Sequence, residues 1–273
     1  LTYDSGSESA TGVELAIAQE SNDGGAEAIV DNVIDGTDKS ASGTGIVRSG
    51  NKADLTISGG SVANVSAGIT SSTTGTTLTI TDVTLTALGS GHGVKQTGDD
   101  GALVIDAVDV TGDASSTQGV QVTSTSDVDV RNSTIDKADI GVDADDAKTN
   151  FNVSNTTITA SNSFGVQITD GDGGSDATTF RVNDGSRIDQ AGGTAGIDIA
   201  TLGSTAGTAV AIDAITVENA PIGIRLAAAS NGDAVDITNS TIANTTTAGL
   251  QFTQTIDIGV TVNFNSFENN EVG

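Results

Sequence analysis

Several residue types that shape ordinary globular proteins are missing from this chain of 273 residues, or nearly so. It has no cysteine, which excludes disulfide bonds and thiolate metal or redox sites. Aromatic residues make up 3% of the chain and tryptophan is absent, so a wide core filled by large rings is excluded. There is one histidine, and a single imidazole cannot build the histidine clusters that hold zinc.

Basic residues are also scarce. The chain has 10 Lys and Arg against 36 Asp and Glu, for a formal charge of -26. Nucleic acids and anionic membranes are not expected as partners, because both are bound through cationic side chains. No apolar run approaches the roughly 18 residues of a membrane-spanning helix, so we expect no membrane insertion by this segment. Methionine is absent too, and we interpret the chain as an excised or processed segment of a longer product.

The residues that are abundant point to strands. There are 35 glycines, and threonine, valine and isoleucine are frequent. A glycine followed by an aliphatic residue recurs at intervals of 22 to 33 residues. The ten pairs are Gly12-Val13, Gly45-Ile46, Gly68-Ile69, Gly93-Val94, Gly119-Val120, Gly141-Val142, Gly165-Val166, Gly196-Ile197, Gly223-Ile224 and Gly249-Leu250.

A second motif consists of two apolar residues separated by one position, then small polar residues and a further aliphatic residue. It recurs at intervals of 23 to 30 residues. Its starts are Leu55, Leu78, Leu103, Val128, Phe151, Phe180, Val210, Val235 and Val260. Because both motifs advance together, each period is expected to hold two short strands joined by turns.

Strand alternation places Leu55 and Ile57 on one face and Thr56 on the other. One such unit cannot bury its apolar face alone, whereas stacked units form parallel sheets around a continuous core. We therefore predict an all-β, single-stranded parallel β-helix (β-solenoid) with about ten coils of roughly 25 residues.

The turns of this solenoid have their own expected chemistry. Glycines are expected at turn positions with positive φ. A mostly polar column, four residues after each start of the second motif, is expected at a bend where it bonds to the backbone of neighbouring coils. The column comprises Gly59, Asp82, Ala107, Asn132, Asn155, Asp184, Ala214 and Asn239.

Segments 128–135 and 235–242, each followed by a glycine-aliphatic pair, resemble the repeats of right-handed parallel β-helices. These form the pectate-lyase-like superfamily, which includes autotransporter passengers, filamentous adhesins, tailspikes and polysaccharide-degrading enzymes. The resemblance is to passenger or adhesin-type surface proteins most of all, and it implies a right-handed coil. We expect residues 1–24 to form an irregular first coil or N-terminal segment. Residues 25–273 are expected to form β-helix repeats, truncated within a coil at the C-terminus.

Two features of the sequence are considered as enzyme signatures. Gly91-His92-Gly93 and Gly98-Asp99-Asp100 resemble motifs of polygalacturonase-like glycosidases of that superfamily, but in inverted order and at short separation. Lyase chemistry would need a basic residue beside acidic calcium ligands. Arg131, which follows Asp129, and Arg181 are the candidates, but the basic residues are scattered along the chain without a cluster. We therefore expect no enzyme and no catalytic or cofactor-binding residues, with a polysaccharide lyase or glycosidase as the alternative class.

Calcium is the one metal that the composition favours. Asp outnumbers Glu by 29 to 7, and calcium prefers hard oxygen ligands on turns. The candidate ligands are Asp143, Asp145 and Asp146, in a short acidic run. The run matches no EF-hand loop, so aspartate as a turn former and solubilising charge stays the alternative. No other cofactor is expected.

An ice-binding face would need threonine at one outward position of every coil. The column that begins Thr56 and Thr79 continues with Val104 and Asp129, so this regularity is missing. Ice binding is therefore not expected.

Taken together, these features predict a secreted extracellular or cell-surface rod, structural or adhesive, that presents its turn loops for adhesion or assembly. Its expected partners are a host or neighbouring-cell surface, a glycan, or other copies of itself. One alternative is the subunit of a homopolymeric extracellular filament, since the ends of a solenoid offer unpaired strands. The other is a polysaccharide-degrading β-helix enzyme or tailspike-like depolymerase, which a cleft with two carboxylates about 5 to 10 Å apart would support.

Overall fold

The fold is taken from a computed structural model of the chain. The residues that it describes are 11–15, 27–36, 43–49, 53–86, 88–98, 101–113, 117–123, 127–145, 150–159, 161–169, 179–190, 192–202, 208–227, 234–253 and 259–271. The structural statements below concern these residues.

The described strands form three parallel sheets of ten strands each, which we name A, B and C. Each strand pairs with the third strand before it and the third after it, so the chain visits A, B and C in turn and then begins the next coil. The predicted all-β parallel solenoid is thereby confirmed.

Sheet A comprises β1 (Thr11–Leu15), β4 (Thr44–Arg48), β7 (Ala67–Ser71), β10 (His92–Gln96), β13 (Gln118–Val122), β16 (Ile140–Asp145), β19 (Phe164–Thr169), β22 (Ala195–Thr201), β25 (Ile222–Leu226) and β28 (Ala248–Phe252). Sheet B comprises β2 (Glu27–Val30), β5 (Leu55–Ser58), β8 (Thr77–Thr81), β11 (Ala102–Asp106), β14 (Asp127–Arg131), β17 (Asn150–Ser154), β20 (Thr179–Asn183), β23 (Ala209–Asp213), β26 (Ala234–Thr238) and β29 (Gly259–Asn263). Sheet C comprises β3 (Val33–Asp35), β6 (Ser61–Ala63), β9 (Thr84–Thr86), β12 (Asp109–Thr111), β15 (Thr134–Asp136), β18 (Thr157–Thr159), β21 (Arg187–Asp189), β24 (Thr216–Glu218), β27 (Thr241–Ala243) and β30 (Ser266–Glu268).

The prediction of two strands per coil is wrong, because sheet C adds a third. Its strands have three residues each, and in all but the last the central residue is buried, as Ile135 is in β15 and Ile242 in β27. This residue is the further aliphatic of the second motif. A strand with a single inward side chain has no alternation that a sequence pattern could reveal.

Inward-facing aliphatic residues build one core that continues from coil to coil. On β5, Leu55 and Ile57 are buried, while Thr56 between them is half-buried. The parallel register stacks Leu55 on Leu78 and Ile57 on Ile80 of the next coil. The predicted alternation of inward and outward residues is therefore confirmed.

The recurring glycine of the first motif lies within the strands of sheet A and not in a turn. A Cβ added at Gly119 would lie 2.4 Å from the carbonyl oxygen of Gly141 in the next coil and 2.4 Å from Cγ2 of Ile135. Gly141 has the corresponding contact with Gly165. Close approach between coils explains why glycine recurs here. The glycines that we expected at turns with positive φ are others, such as Gly59 and Gly185.

Positive φ is found instead at the corner between sheets B and C. All eight residues of the predicted polar column adopt it, from 44° at Asn155 to 66° at Gly59. Asn and Asp tolerate this conformation better than most residues, which explains the composition of the column. We expected these side chains to bond to the backbone of neighbouring coils, but they bond mainly to other side chains. Nδ2 of Asn132 donates to Oδ1 of Asp106 at 2.7 Å, and Nδ2 of Asn155 donates to Oδ1 of Asn132 at 2.8 Å.

The first and last described coils differ from the others in exposure. Val30 and Val33 are 56% and 57% exposed near one end, and Phe264 is 88% exposed near the other. Within the segment expected to be irregular, β1 pairs with β4 in regular parallel register, Val13 opposite Ile46. Among the described residues, no helix of the length and apolarity needed to span a membrane is present.

Candidate functional site on the outer face of sheet A

The outer face of sheet A carries a column of polar side chains, one from each of the eight strands from β7 to β28. The parallel register places them one above another, about 4.8 Å apart. We name this column the polar ladder. Its members are Thr70, Lys95, Gln121, Asp143, Gln167, Asp198, Arg225 and Gln251. Two of them are deeply buried in spite of facing outward: Asp143 is 6% exposed and Asp198 is 0% exposed.

Asp198 forms the strongest contact in the polar ladder. Arg225, one coil further on, donates from Nε to Oδ1 at 2.7 Å and from Nη2 to Oδ2 at 2.8 Å. Gln167, one coil earlier, donates to the same Oδ2 at 3.3 Å. The guanidinium also lies 5.2 Å from the centre of the Phe164 ring. The hydrogen bond to Asp198 raises the pKa of Arg225, and the two-point contact with the guanidinium compensates the burial of the Asp198 side chain.

Asp143 is also buried, but among the described residues no arginine or lysine forms an ion pair with it, and only the more distant charge of Lys95 lowers its pKa from the cationic side. Its Oδ2 accepts hydrogen bonds from Nε2 of Gln118 at 3.1 Å and from Nε2 of Gln121 at 3.2 Å. Burial raises the pKa of Asp143 from 3.8 to about 6, the nearby charge of Asp145 adds to the rise, and the Gln121 hydrogen bond opposes it. Asp143 therefore changes its protonation state close to neutral pH.

The two buried carboxylates lie on the same column, two strands apart, with Gln167 between them. Two steps of about 4.8 Å separate their backbones by about 10 Å. One carboxyl has a raised pKa, and the other is paired with Arg225. Such a pair is the arrangement from which acid and base roles are built in enzymes, although here both groups are already hydrogen-bonded within the protein.

No protein-family model, curated protein or solved structure matches this chain. The parallel β-solenoid is assigned from its own strand pairing. Membership of the pectate-lyase-like superfamily and the right-handed coil stay predictions from the sequence resemblance.

The predicted calcium ligands are only partly described. Asp143 and Asp145 both lie on β16, two residues apart, and Asp146 lies outside the described residues. In the described ranges there is no group of three or more His, Asp or Glu side chains that could hold a metal ion. Oδ2 of Asp143 already accepts two amide hydrogen bonds. Calcium binding by Asp143, Asp145 and Asp146 stays a prediction.

The histidine of the glycosidase-like motif lies beside the polar ladder. Nε2 of His92 is 2.8 Å from Oγ1 of Thr70. Burial, aided by the charge of Lys95, lowers the pKa of His92 to about 4, so the ring is neutral at neutral pH. Asp99 and Asp100 of the same motif lie outside the described residues.

The basic residue considered for lyase chemistry is engaged in ion pairs on sheet B. Arg131 donates from Nε to Asp106 at 3.0 Å and from Nη1 to Asp129 at 2.7 Å. These bonds raise the pKa of Arg131, chiefly through Asp106. A guanidinium held in this way is a poor general base.

The structure also locates the threonines. The column that begins at Thr56 lies on the outer face of sheet B and is irregular. A more regular one lies on the outer face of sheet C, where Asp109 and Arg187 interrupt it. This column consists of Ser61, Thr84, Asp109, Thr134, Thr157, Arg187, Thr216, Thr241 and Ser266. Sequence reasoning missed it because the strands of sheet C were not recognised.

Sequence reasoning also missed Asp198 and Arg225, although a signal for them exists. Each member of the polar ladder follows the glycine of the first motif by two residues, as Asp143 follows Gly141 and Arg225 follows Gly223. Reading this third position down the repeats lists the ladder in order. What the list does not reveal is which members are buried.

Proposed function

We propose that this chain is part of an extracellular or cell-surface rod with a structural or adhesive role. The observation that supports this proposal is the continuous parallel pairing of three ten-stranded sheets around one aliphatic core. Nine steps of about 4.8 Å give each sheet a length of about 43 Å. A body of this kind is stiff along its axis, since every coil bonds to the next through all three sheets.

The connections between strands fit a display role. The connection between sheets B and C has two residues in nine of the coils. It has three residues in the coil of β20 and β21. From A to B, the connection has five residues between β7 and β8 and nine between β19 and β20. Rigid scaffolds with variable connections commonly carry recognition in those connections. A cell surface, a glycan or further copies of the chain are the partners that we propose.

The charge is consistent with this location. At -26, rods repel one another at low ionic strength and are screened in saline surroundings. The proposal is tested by raising antibodies against the folded chain and labelling intact and permeabilised cells of the source organism. Label on intact cells, lost after brief surface proteolysis, is expected. Label that appears only after permeabilisation would overturn the proposal.

A second candidate function is carbohydrate cleavage, and the pair Asp143 and Asp198 is the observation that favours it. Their backbone separation of about 10 Å lies near the carboxylate spacing of inverting glycosidases. In this role Asp143 would protonate the leaving group and Asp198 would activate water.

The enzymatic role is tested with purified chain on a panel of acidic and neutral polysaccharides, scored for reducing ends and unsaturated products. The enzymatic role would be established if the chain cleaves a polysaccharide, if Asp143→Asn and Asp198→Asn each abolish this activity, and if Asp236→Asn on sheet B retains it. Absence of products across the panel from pH 5 to 8 would reject it in favour of the rod.

A further inference from the structure

A shallow groove of about 250 Å³ lies on the outer face of sheet B, away from the polar ladder. Ala102 and Val104 of β11 form its apolar floor. The next two strands supply polar residues at matching positions. These are Asp127 and Asp129 on β14, and Asn150 and Asn152 on β17.

The hydrogen bonds within the groove use most of its donors. Nδ2 of Asn150 donates to Oδ1 of Asp127 at 3.2 Å, and Nδ2 of Asn152 donates to Oδ1 of Asp129 at 2.8 Å. The other oxygen of Asp129 accepts from Arg131 at 2.7 Å. In the described part of the chain, the groups left for a ligand are therefore mainly oxygen acceptors, chiefly Oδ2 of Asp127 and Oδ1 of Asn150, beside one remaining N–H of Asn150.

The charges around the groove are unevenly placed. Asp129 is paired with Arg131. The exposed Arg181 lies on the same column as Asp129, one strand beyond Asn152. Asp127 stands on the neighbouring column, between Ala102 and Asn150, and its only described hydrogen-bond donor is Asn150. A cationic donor group is thus attracted to the Asp127 side of the groove.

We propose that this groove binds an alkylammonium group, with the ammonium on Asp127 and Asn150 and the methylenes on Ala102 and Val104. An ammonium offers three donors and a positive charge to a set of acceptors, and its aliphatic stem covers apolar floor that a hydrated metal ion would leave exposed. Two sources carry this chemistry: a free aliphatic diamine and a lysine side chain of a partner protein. The inference rests on the groove alone and not on the proposed surface location.

The test is a titration of the ¹⁵N-labelled chain with n-butylammonium, followed by amide chemical shifts. Shifts are expected at residues 102–104, 127–129 and 150–152. Neutral n-butanol offers the same stem without the charge, and we expect it to bind at least about five-fold more weakly. This factor corresponds to the upper end of the usual free energy of a surface ion pair. Equal binding of n-butanol would overturn the proposal.

Variants separate the parts of the groove. Asp127→Asn, which keeps the shape and removes the charge, is expected to weaken n-butylammonium binding about five-fold. Ala102→Leu, which fills the floor without changing charge, is expected to abolish the shifts. Asp236→Asn is the matched control, since Asp236 lies exposed on the outer face of the same sheet three strands beyond β17. An equal loss in Asp236→Asn would reveal nonspecific attraction to an acidic surface and overturn the proposal.

Two further titrations identify the source and exclude a metal. If a lysine-containing hexapeptide binds more tightly than 1,4-diaminobutane, the groove is assigned to protein partners. The reverse order assigns it to free diamines. Either order supports alkylammonium recognition. Calcium chloride that shifts the same amides at lower concentration than n-butylammonium would assign the oxygens to a metal and overturn the proposal. Melting curves of all variants verify that they are folded.

Discussion

The buried carboxyl of Asp143 makes the stability of the solenoid depend on pH in a predictable direction. Its pKa is raised to about 6 in the folded chain, against 3.8 for the ordinary group. The fold therefore favours the protonated form. The resulting stabilisation is fully present below pH 3.8 and is lost as the pH rises through 6. A displacement of this size corresponds to about 3 kcal/mol between the two protonation states.

The perturbation that exposes this effect is Asp143→Asn. Asparagine has nearly the same shape, keeps an oxygen for the amides of Gln118 and Gln121, and carries no charge at any pH. We expect the variant to exceed the original chain in stability by up to about 3 kcal/mol at pH 8. At pH 4, where the original carboxyl is largely protonated in the fold, the two should be similar.

The assay is urea unfolding followed by far-ultraviolet circular dichroism, at intervals from pH 4 to pH 8. The difference between variant and original chain is plotted against pH and should rise between about pH 4 and pH 6 and level off above pH 6. Asp236→Asn on sheet B is the control, because its side chain is exposed and its replacement should leave no such rise. A variant that is no more stable than the original chain at pH 8 would refute the reasoning, since it would mean that burial of the charge carries no cost.

Three other changes test the architecture. Gly119→Ala should destabilise the chain by about 1–3 kcal/mol because the new Cβ meets a carbonyl oxygen at 2.4 Å; Gly192→Ala, with open space around it, is the matched control in urea unfolding, and equal effects would contradict the close-approach explanation. Arg225→Met should cost about 3–5 kcal/mol by leaving Asp198 buried without its cation, and adding Asp198→Asn should recover part of the loss in a double-mutant cycle; no recovery would argue against the ion pair. Ala107→Asn should raise stability by about 1 kcal/mol in thermal melts, because Ala107 has φ of 55° and Asn tolerates this conformation; an unchanged melting temperature would count against it.

Much of the fold is predictable from two short motifs. The pair Leu55 and Ile57 and the glycine-aliphatic unit recur in step, and only stacked coils bury such units. The third strand was missed because Ile135 alone carries its inward face. The reason for glycine at position 119 was not predicted, because its contact with the next coil belongs to the tertiary structure.

The candidate site was predictable only in outline. Asp143 was singled out because it lies in an acidic run, and the structure gives it a different character: a carboxyl with a raised pKa that two glutamines hold. Asp198 has no acidic neighbours in sequence and drew no attention. Its importance comes from Arg225, which lies 27 residues away and one strand further along sheet A.

The sequence by itself determined the period of the coils, the inward faces of sheets A and B, and the excess of negative charge. It did so because burial of aliphatic residues repeats in every coil and leaves a pattern within a few neighbouring positions. The tertiary structure alone decided which outward side chains meet. Their partners lie a whole coil away, and the coil length varies with its connections. Whether a carboxylate such as Asp198 faces water or is buried against an arginine is therefore set by the register between coils, which no local pattern records.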